Sequence, residues 1–434
     1  MHDYKCVIHV HTDNSPDSLA SFEDVVLGAA WGKADVVAVT DHDSLALKPK
    51  EGWIEAFGHR FLLLVGEEVT TASGGHYLAL GIERPVEPGL PAGRVIEEVA
   101  SQGGAGFIEH PFFKGNPWFR APAAAWPDWN VAGFTGLSVF NFTSDWGNRI
   151  TPLGFLLYGA WPGLAVDRPT PKTVKKWDEL AGFGRVVGIG TVDAHLYTAR
   201  LGRWTLEAHP FRYFFHSIRT HILTDQPLSG DLEHDREVFL RALKSGSCFI
   251  SNDYLGEGEG FLFYAVDETG RVVARMGESV EAPSGVTLVV RCPEIRRAGG
   301  VSRGEKGVTL LRVTMIHDGR AELVRTYAVD HGGGGWLMSE KGVTSTPGGR
   351  WLMSEKEIKG TPEGVASIQG ERSYSNGRFE AVHLAYILNG APMLTYNVKG
   401  TGAYRVEVEM KIHGRLKPWI YSNNIYLTRP DLAE

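Results

Sequence analysis

Histidine and acidic residues recur at the ends of apolar runs through the first two hundred residues. Val7-Ile8-His9-Val10-His11 comes first, and Asp17 follows closely. The run Val36–Thr40 ends in Asp41-His42-Asp43, Phe61–Gly66 ends in Glu67-Glu68, and Gly74-Gly75-His76 leads into another run. Gly106–Ile108 ends in Glu109-His110-Pro111, and Arg185–Val192 ends in Asp193-Ala194-His195. Side chains two apart on a strand share a face, so His9 and His11 are expected to aim at one point. Imidazoles and carboxylates gathered in this way suit two or three divalent cations. Cations so held lower the pKa of bound water and supply a nucleophile near neutral pH. Mixed nitrogen and oxygen ligation fits Mn, Zn or Fe and does not choose among them.

The elements that must hold these residues are strands alternating with helices over residues 1–250. Ser21–Ala34, Arg94–Gln102 and Glu233–Ser245 read as helices, with Ser21 as an N-cap and Gly103 and Gly246 as stops. Such alternation implies an α/β domain built on a mostly parallel sheet or barrel. In a barrel of parallel strands the strand ends gather at one rim, where active sites lie. Over residues 251–434 the texture changes to short alternating strands between Gly-, Asp- and Asn-rich turns, which predicts an all-β sandwich. A tandem repeat lies at 333–362, where Gly-Gly-Trp-Leu-Met-Ser-Glu-Lys around Trp336 recurs around Trp351 with one substitution. Two copies are too few for a solenoid and suggest a duplicated hairpin or strand-loop, with packing favoured over binding as the role of both tryptophans.

At 434 residues two domains are expected. The net charge of −7 argues against a nucleic-acid partner. No apolar stretch reaches the roughly 18 residues that span a bilayer, so no membrane partner is expected. The lack of a basic-then-apolar start points to a cytoplasmic protein. Cys6, Cys248 and Cys292 form no CxxC pair and read as buried free thiols.

These motifs together resemble the PHP (polymerase and histidinol phosphatase) superfamily of metallohydrolases. The matching pieces are His9-Val10-His11, Asp17, Thr40-Asp41-His42-Asp43, Gly66-Glu67-Glu68, His110-Pro111 and Asp193-Ala194-His195, in the family's order. The resemblance implies a distorted (β/α)7 barrel. By family position His9 and His11 would hold a first metal with Glu68 and Asp193, Glu68 being the bridging ligand. Asp17, His42 and His195 would serve a second metal, and His76 and His110 a third. Catalysis would fall to His9, His11, Glu68, His76, Asp193 and His195. The segments Ala403–Val408 and Pro418–Tyr426 are similar to the C-terminal end of the carbaryl-hydrolase-like branch, which carries a β-sandwich. Asn423-Asn424 stands where most similar proteins have Asn-Pro.

The expected activity is hydrolysis of a small-molecule phosphate ester by a metal-bridging hydroxide. A carboxylic or carbamate ester is the runner-up, and a non-catalytic binding protein stiffened by metals the third reading. Glu67 is expected to point away from Glu68 on its strand, and Asp41 to orient a ligand histidine. Glu109, His209, His216, His221 and Asp225 are assigned to the surface or to a supporting layer. Arg149, Arg200, Arg203 and Arg212 could meet a phosphoryl group. The loop from Pro111 to Trp129, with Phe112, Phe113, Trp118, Phe119, Trp126 and Trp129, either walls an apolar pocket or packs on the domain.

Overall fold

The structure is a computed structural model describing residues 1–119, 121–151, 154, 168–196, 198–201, 204–207, 211–281, 285–293, 308–330, 336–345, 351–360, 374–375, 378–379, 385–388, 391–412 and 414–429. The chain divides into two compact units. One comprises Met1–Leu180 and Val186–Tyr254, the other Ala181–Arg185 and Leu255–Glu434.

The first unit is mixed α/β. Its elements run β1 (His2–Val10), α1 (Phe22–Gly32), β2 (Val36–His42), β3 (Gly52–Ala56), β4 (His59–Thr70), β5 (His76–Leu80), α2 (Ala92–Ser101), β6 (Ala105–Ile108), β7 (Gly136–Asn141), α3 (Phe142–Gly147), α4 (Pro171–Ala181) and β8 (Val187–Thr191). A hairpin of β9 (Thr198–Leu201) and β10 (Trp204–Glu207) precedes β11 (Ile218–Thr224), α5 (Leu232–Ser245) and β12 (Cys248–Asn252). Ser21 caps α1 in a capping box with Asp24, and Gly246 ends α5 in the left-handed conformation.

Parallel pairs join β1 to β2, β2 to β4, β6 to β7 and β7 to β8. Past β8, Val192 N donates to Ile8 O and Ala194 N to His9 O, while His11 N donates to Ala194 O. The strand order β1, β2, β4, β5, β6, β7, β8 therefore leads back to β1. This departs from the expected array of parallel strands joined by helices. β5 is antiparallel to both β4 and β6, because a turn over residues 71–75 is far shorter than the dozen or so residues a parallel crossover needs. The link from β2 to β4 carries β3 in place of a helix.

Alternate residues of these strands meet in one buried cluster. Cys6 and Ile8, Val36 and Ala38, Leu62 and Leu64, Leu78 and Leu80, Ala105 and Phe107, and Val187 and Ile189 pack with Phe239, Ala242 and Leu243 of α5. Continuing the two-residue step beyond this cluster reaches Thr40 and His42, Gly66 and Glu68, His76, Glu109, and Thr191 and Asp193. The apolar core and the polar cluster are thus successive layers on one face. Gly66 is required where it stands: a Cβ there would collide with the Ala79 carbonyl oxygen on β5.

The second unit is β-rich among its described residues. One antiparallel sheet orders the strands Val272–Arg275, Leu262–Val266, Thr287–Arg291, Ala391–Asn397 and Ala385–Leu388. A second group pairs Val308–His317 with both Arg320–Asp330 and Gly402–Ile412, and Gly402–Ile412 with Arg415–Ser422. It includes one parallel pair, Ser279–Glu281 with Ile425–Thr428. The tandem repeat forms the two arms of one hairpin, with Trp336 opposite Gly360 and Ser345 opposite Trp351. The side chains of Trp336 and Trp351 lie outside the described residues. All three cysteines are buried and unbridged.

Candidate metal centre

The backbone that presents His9 is not a regular strand. β1 pairs with β2 through Ile8 opposite Ala38, and then Val10 lies opposite Val39, leaving His9 as an extra residue with φ 75°. Strand alternation from Cys6 and Ile8 would have turned Val10 and Thr12 toward the cluster. The bulge resets the phase and brings in His9 and His11, so the expected convergence is reached by a different backbone. His110 (φ 26°) and Asp193 (φ 52°) also occupy the left-handed region. Such a conformation costs an L-residue about 1–3 kcal/mol and persists only where its surroundings enforce it.

Five imidazoles surround the Glu68 carboxylate. Glu68 Oε2 lies 3.0 Å from His9 Nε2, 3.2 Å from His11 Nε2 and 3.4 Å from His42 Nδ1. Its Oε1 lies 2.8 Å from His76 Nδ1 and 3.0 Å from His110 Nε2. Asp193 Oδ1 adds contacts of 3.6 Å to His9, 3.5 Å to His11 and 3.3 Å to His195 Nδ1. Asp17 Oδ2 lies 3.3 Å from His42 Nε2 and 3.2 Å from His195 Nε2. All nine residues singled out in the sequence therefore come together.

Three sets of donors lie close enough to share an ion: His11, Asp17, His42 and His195; His9, His11 and Asp193; and His42, Glu68 and His76. The two Nε2 atoms of His9 and His11 are 2.9 Å apart. Donors around a cation held at about 2.0–2.2 Å stand about 3–3.5 Å from one another, the spacing found here. The donor set thus fits divalent cations.

Exposure is graded across the cluster. His9 and His11 are sealed from solvent, whereas the side chains of His42, His76 and Asp17 are 15 %, 18 % and 41 % exposed. Burial alone would raise the Glu68 carboxyl, but the charges of His9, His76 and His42 overcome it and hold Glu68 well below the ordinary carboxylate range. Burial would lower His9, yet Glu68 and Asp193 raise it, whereas burial and His195 leave His11 lowered.

Around this cluster the supporting contacts are specific. Asp41 accepts from Thr12 N and Thr12 Oγ1 at 2.6 and 2.7 Å and from Ser15 Oγ at 3.0 Å. Ser15 Oγ lies 2.9 Å from His11 Nδ1, so Asp41 reaches His11 through Ser15. Thr143 Oγ1 donates to Asp193 O at 2.7 Å. Glu67 turns to the other face of β4 and accepts from Val86 N.

Glu109 is fully buried, with Oε1 3.4 Å from His9 Nδ1, so of its two expected places it takes the supporting layer and not the surface. The alternation Ala105, Phe107, Glu109 carried that signal. His221 is likewise buried, not at the surface, because β11 lies between β1 and β12. His216 meets Trp31 edge-on, and Asp225 is exposed. His209 and Arg203 lie outside the described residues, as do the side chains of Arg200 and Phe119.

Arg149 donates to the carbonyls of Arg168 and Pro169, and Arg212 lies over the Trp31 and Tyr213 rings. Of the aromatic loop, Trp126 is buried beside Tyr77, Trp118 is exposed, and Phe112 stacks on Trp129 at 5.6 Å. Phe113 meets the cluster, edge-on to His110 at 6.0 Å. No helix among the described residues is long and apolar enough to cross a membrane. No protein-family model matches the chain, and no curated protein matches it.

Proposed function

We propose that this protein is a PHP-type metal-dependent hydrolase acting on a small-molecule phosphate ester. The observation that carries the reading is the Glu68 carboxylate, one oxygen facing His9, His11 and His42 and the other facing His76 and His110. That is the arrangement of a ligand shared between two cation positions. On this reading the ring of strands is the distorted (β/α)7 barrel, the second unit is the β-sandwich, and the cations are Mn, Zn or Fe. When bound, such cations supply a hydroxide near neutral pH and polarise the ester oxygen.

The chain's own residues do the remainder. His9, His11, Glu68 and Asp193 form the closed floor, Asp193 being anchored through its carbonyl by Thr143. Asp17, His42 and His76 form the side that solvent and substrate reach. Arg149 donates to backbone carbonyls and Arg212 lies over aromatic rings, so among the described candidate arginines neither is aimed at the cluster. A second reading, an aryl carboxylic or carbamate ester, is favoured by Phe113 on His110, which offers a leaving aryl group an apolar wall.

The test is hydrolysis of aryl phosphates, phosphodiesters and aryl esters by the metal-loaded protein and by His9→Ala. Phosphate-ester activity abolished by the substitution is expected. Activity on carboxylic esters alone would promote the second reading, and activity that survives His9→Ala would overturn both.

A further inference from the structure

Glu109 is a buried carboxylate whose role the hydrolytic reading leaves open. It is fully enclosed, at the end of β6. Thr191 Oγ1 and Asn141 Nδ2 each donate to its Oε1 at 2.8 Å, tying it to the ends of β8 and β7. Its backbone is fixed by Glu109 N donating to His76 O at 3.1 Å. Three strands thus combine to hold one carboxylate in a place where burial disfavours it.

The group it faces is His9. That imidazole directs Nε2 at Glu68, His11 and Asp193, and its buried Nδ1 has no hydrogen bond within ordinary geometry. Glu109 Oε2 is equally without a partner, and Oε1 is 3.4 Å from Nδ1. A neutral imidazole carries one proton. If Nε2 is to offer its lone pair to a cation, the proton must sit on Nδ1.

We propose that Glu109 is the positioning residue for His9: it accepts the Nδ1 proton and keeps Nε2 bare and aimed at the cation position. The inference rests on the metal-centre reading above. It assigns Thr191 and Asn141 the further task of stopping the Glu109 carboxylate from rotating away. His11 has a different device, Ser15, at its own Nδ1. The two histidines of one motif are therefore oriented by unlike partners, a carboxylate and a hydroxyl.

The experiment compares wild type, Glu109→Gln, Glu109→Asp and Asn141→Ala as purified full-length chains, stripped and reloaded with Zn²⁺ or Co²⁺. Zinc affinity is read by competition with a chromophoric chelator, the Co²⁺ absorption spectrum reports the ligand field, and metal-free unfolding midpoints report the fold. Glu109→Gln should bind zinc about 10–100-fold more weakly, the usual cost of losing such an outer partner, and should alter the Co²⁺ spectrum. Glu109→Asp should recover part of the affinity, and Asn141→Ala should lose less than Glu109→Gln. Wild-type zinc affinity and an unchanged Co²⁺ spectrum in Glu109→Gln would overturn the proposal. So would an affinity loss matched by an equal fall in the metal-free unfolding midpoint and not recovered by Glu109→Asp. Failure of the wild-type protein itself to take up metal would instead sink the metal-centre reading on which the proposal stands.

Discussion

The first unit buries two clusters of histidine and carboxylate, and they are built on opposite principles. Around His221 each ring nitrogen faces its own carboxylate: Nδ1 bonds Asp3 Oδ1 at 2.7 Å, and Nε2 lies 3.4 Å from Asp253 Oδ1, beyond ordinary hydrogen-bond geometry. Arg219 Nη1 closes on Asp253 Oδ2 at 2.9 Å. Two cationic and two anionic groups balance there. In the candidate metal centre nitrogens converge on shared oxygens, and two imidazole nitrogens face each other at 2.9 Å. The first cluster pairs each cationic group with a carboxylate, as an ion-pair network does. The second has the spacing of a coordination shell, its donors aimed at common points. Histidine and acid in one buried place do not by themselves suit a metal; a cation requires donors that converge.

The sharpest way to separate the clusters is to break each and read metal and stability independently. Glu68→Ala removes the shared ligand and should cost about 10³-fold or more in hydrolysis, a loss of several kcal/mol of charge stabilisation. Metal content should fall with it. Asp253→Ala should instead destabilise the fold by about 3–5 kcal/mol, because it removes the buried carboxylate paired with Arg219 and leaves His221 with Asp3 alone. Chemical denaturation would show that loss with and without metal, while the folded fraction keeps its metal content. A metal loss in Asp253→Ala equal to that in Glu68→Ala would erase the distinction.

A smaller effect is predicted for Ser15→Ala, which frees His11 Nδ1 and one of the groups held by Asp41. Zinc affinity should drop by about tenfold, with little change in unfolding midpoint.

The pH response should differ too. Burial would lower the His221 pKa, but Asp3 and Asp253 raise it to about 10 from an ordinary 6.5. A raised folded-state pKa stabilises the fold fully below the unfolded value. That contribution declines between pH 6.5 and about 10 and is lost above it. The difference in unfolding midpoint between wild type and His221→Gln should therefore shrink across that window. A gap that widens with pH would contradict the charged-pair account.

Much of the site could be read from the residues because strand ends and motif order are local. His42, Glu68 and Asp193 follow from apolar alternation carried two steps further, and Ser21 and Gly246 mark helix ends by their own chemistry. What could not be read depended on geometry without a residue signature. The bulge at His9 is a backbone event, and nothing in Val-Ile-His-Val-His announces it. The reversed direction of β5 follows from a short turn, yet the run Tyr77–Leu80 looks like its parallel neighbours. The sequence leaves His221 between the surface and a supporting layer because its partner Asp3 lies 218 positions away in sequence. The inward place of Glu109 is readable, since Ala105, Phe107 and Glu109 alternate inward.

The most direct test of the account is the metal content of the purified, reconstituted protein, measured by elemental analysis beside Glu68→Ala and Asp253→Ala. The account predicts about two or three divalent cations per wild-type chain, a marked loss in Glu68→Ala, and wild-type content in folded Asp253→Ala. Fewer than about two per wild-type chain, or a content unchanged by Glu68→Ala, would contradict it.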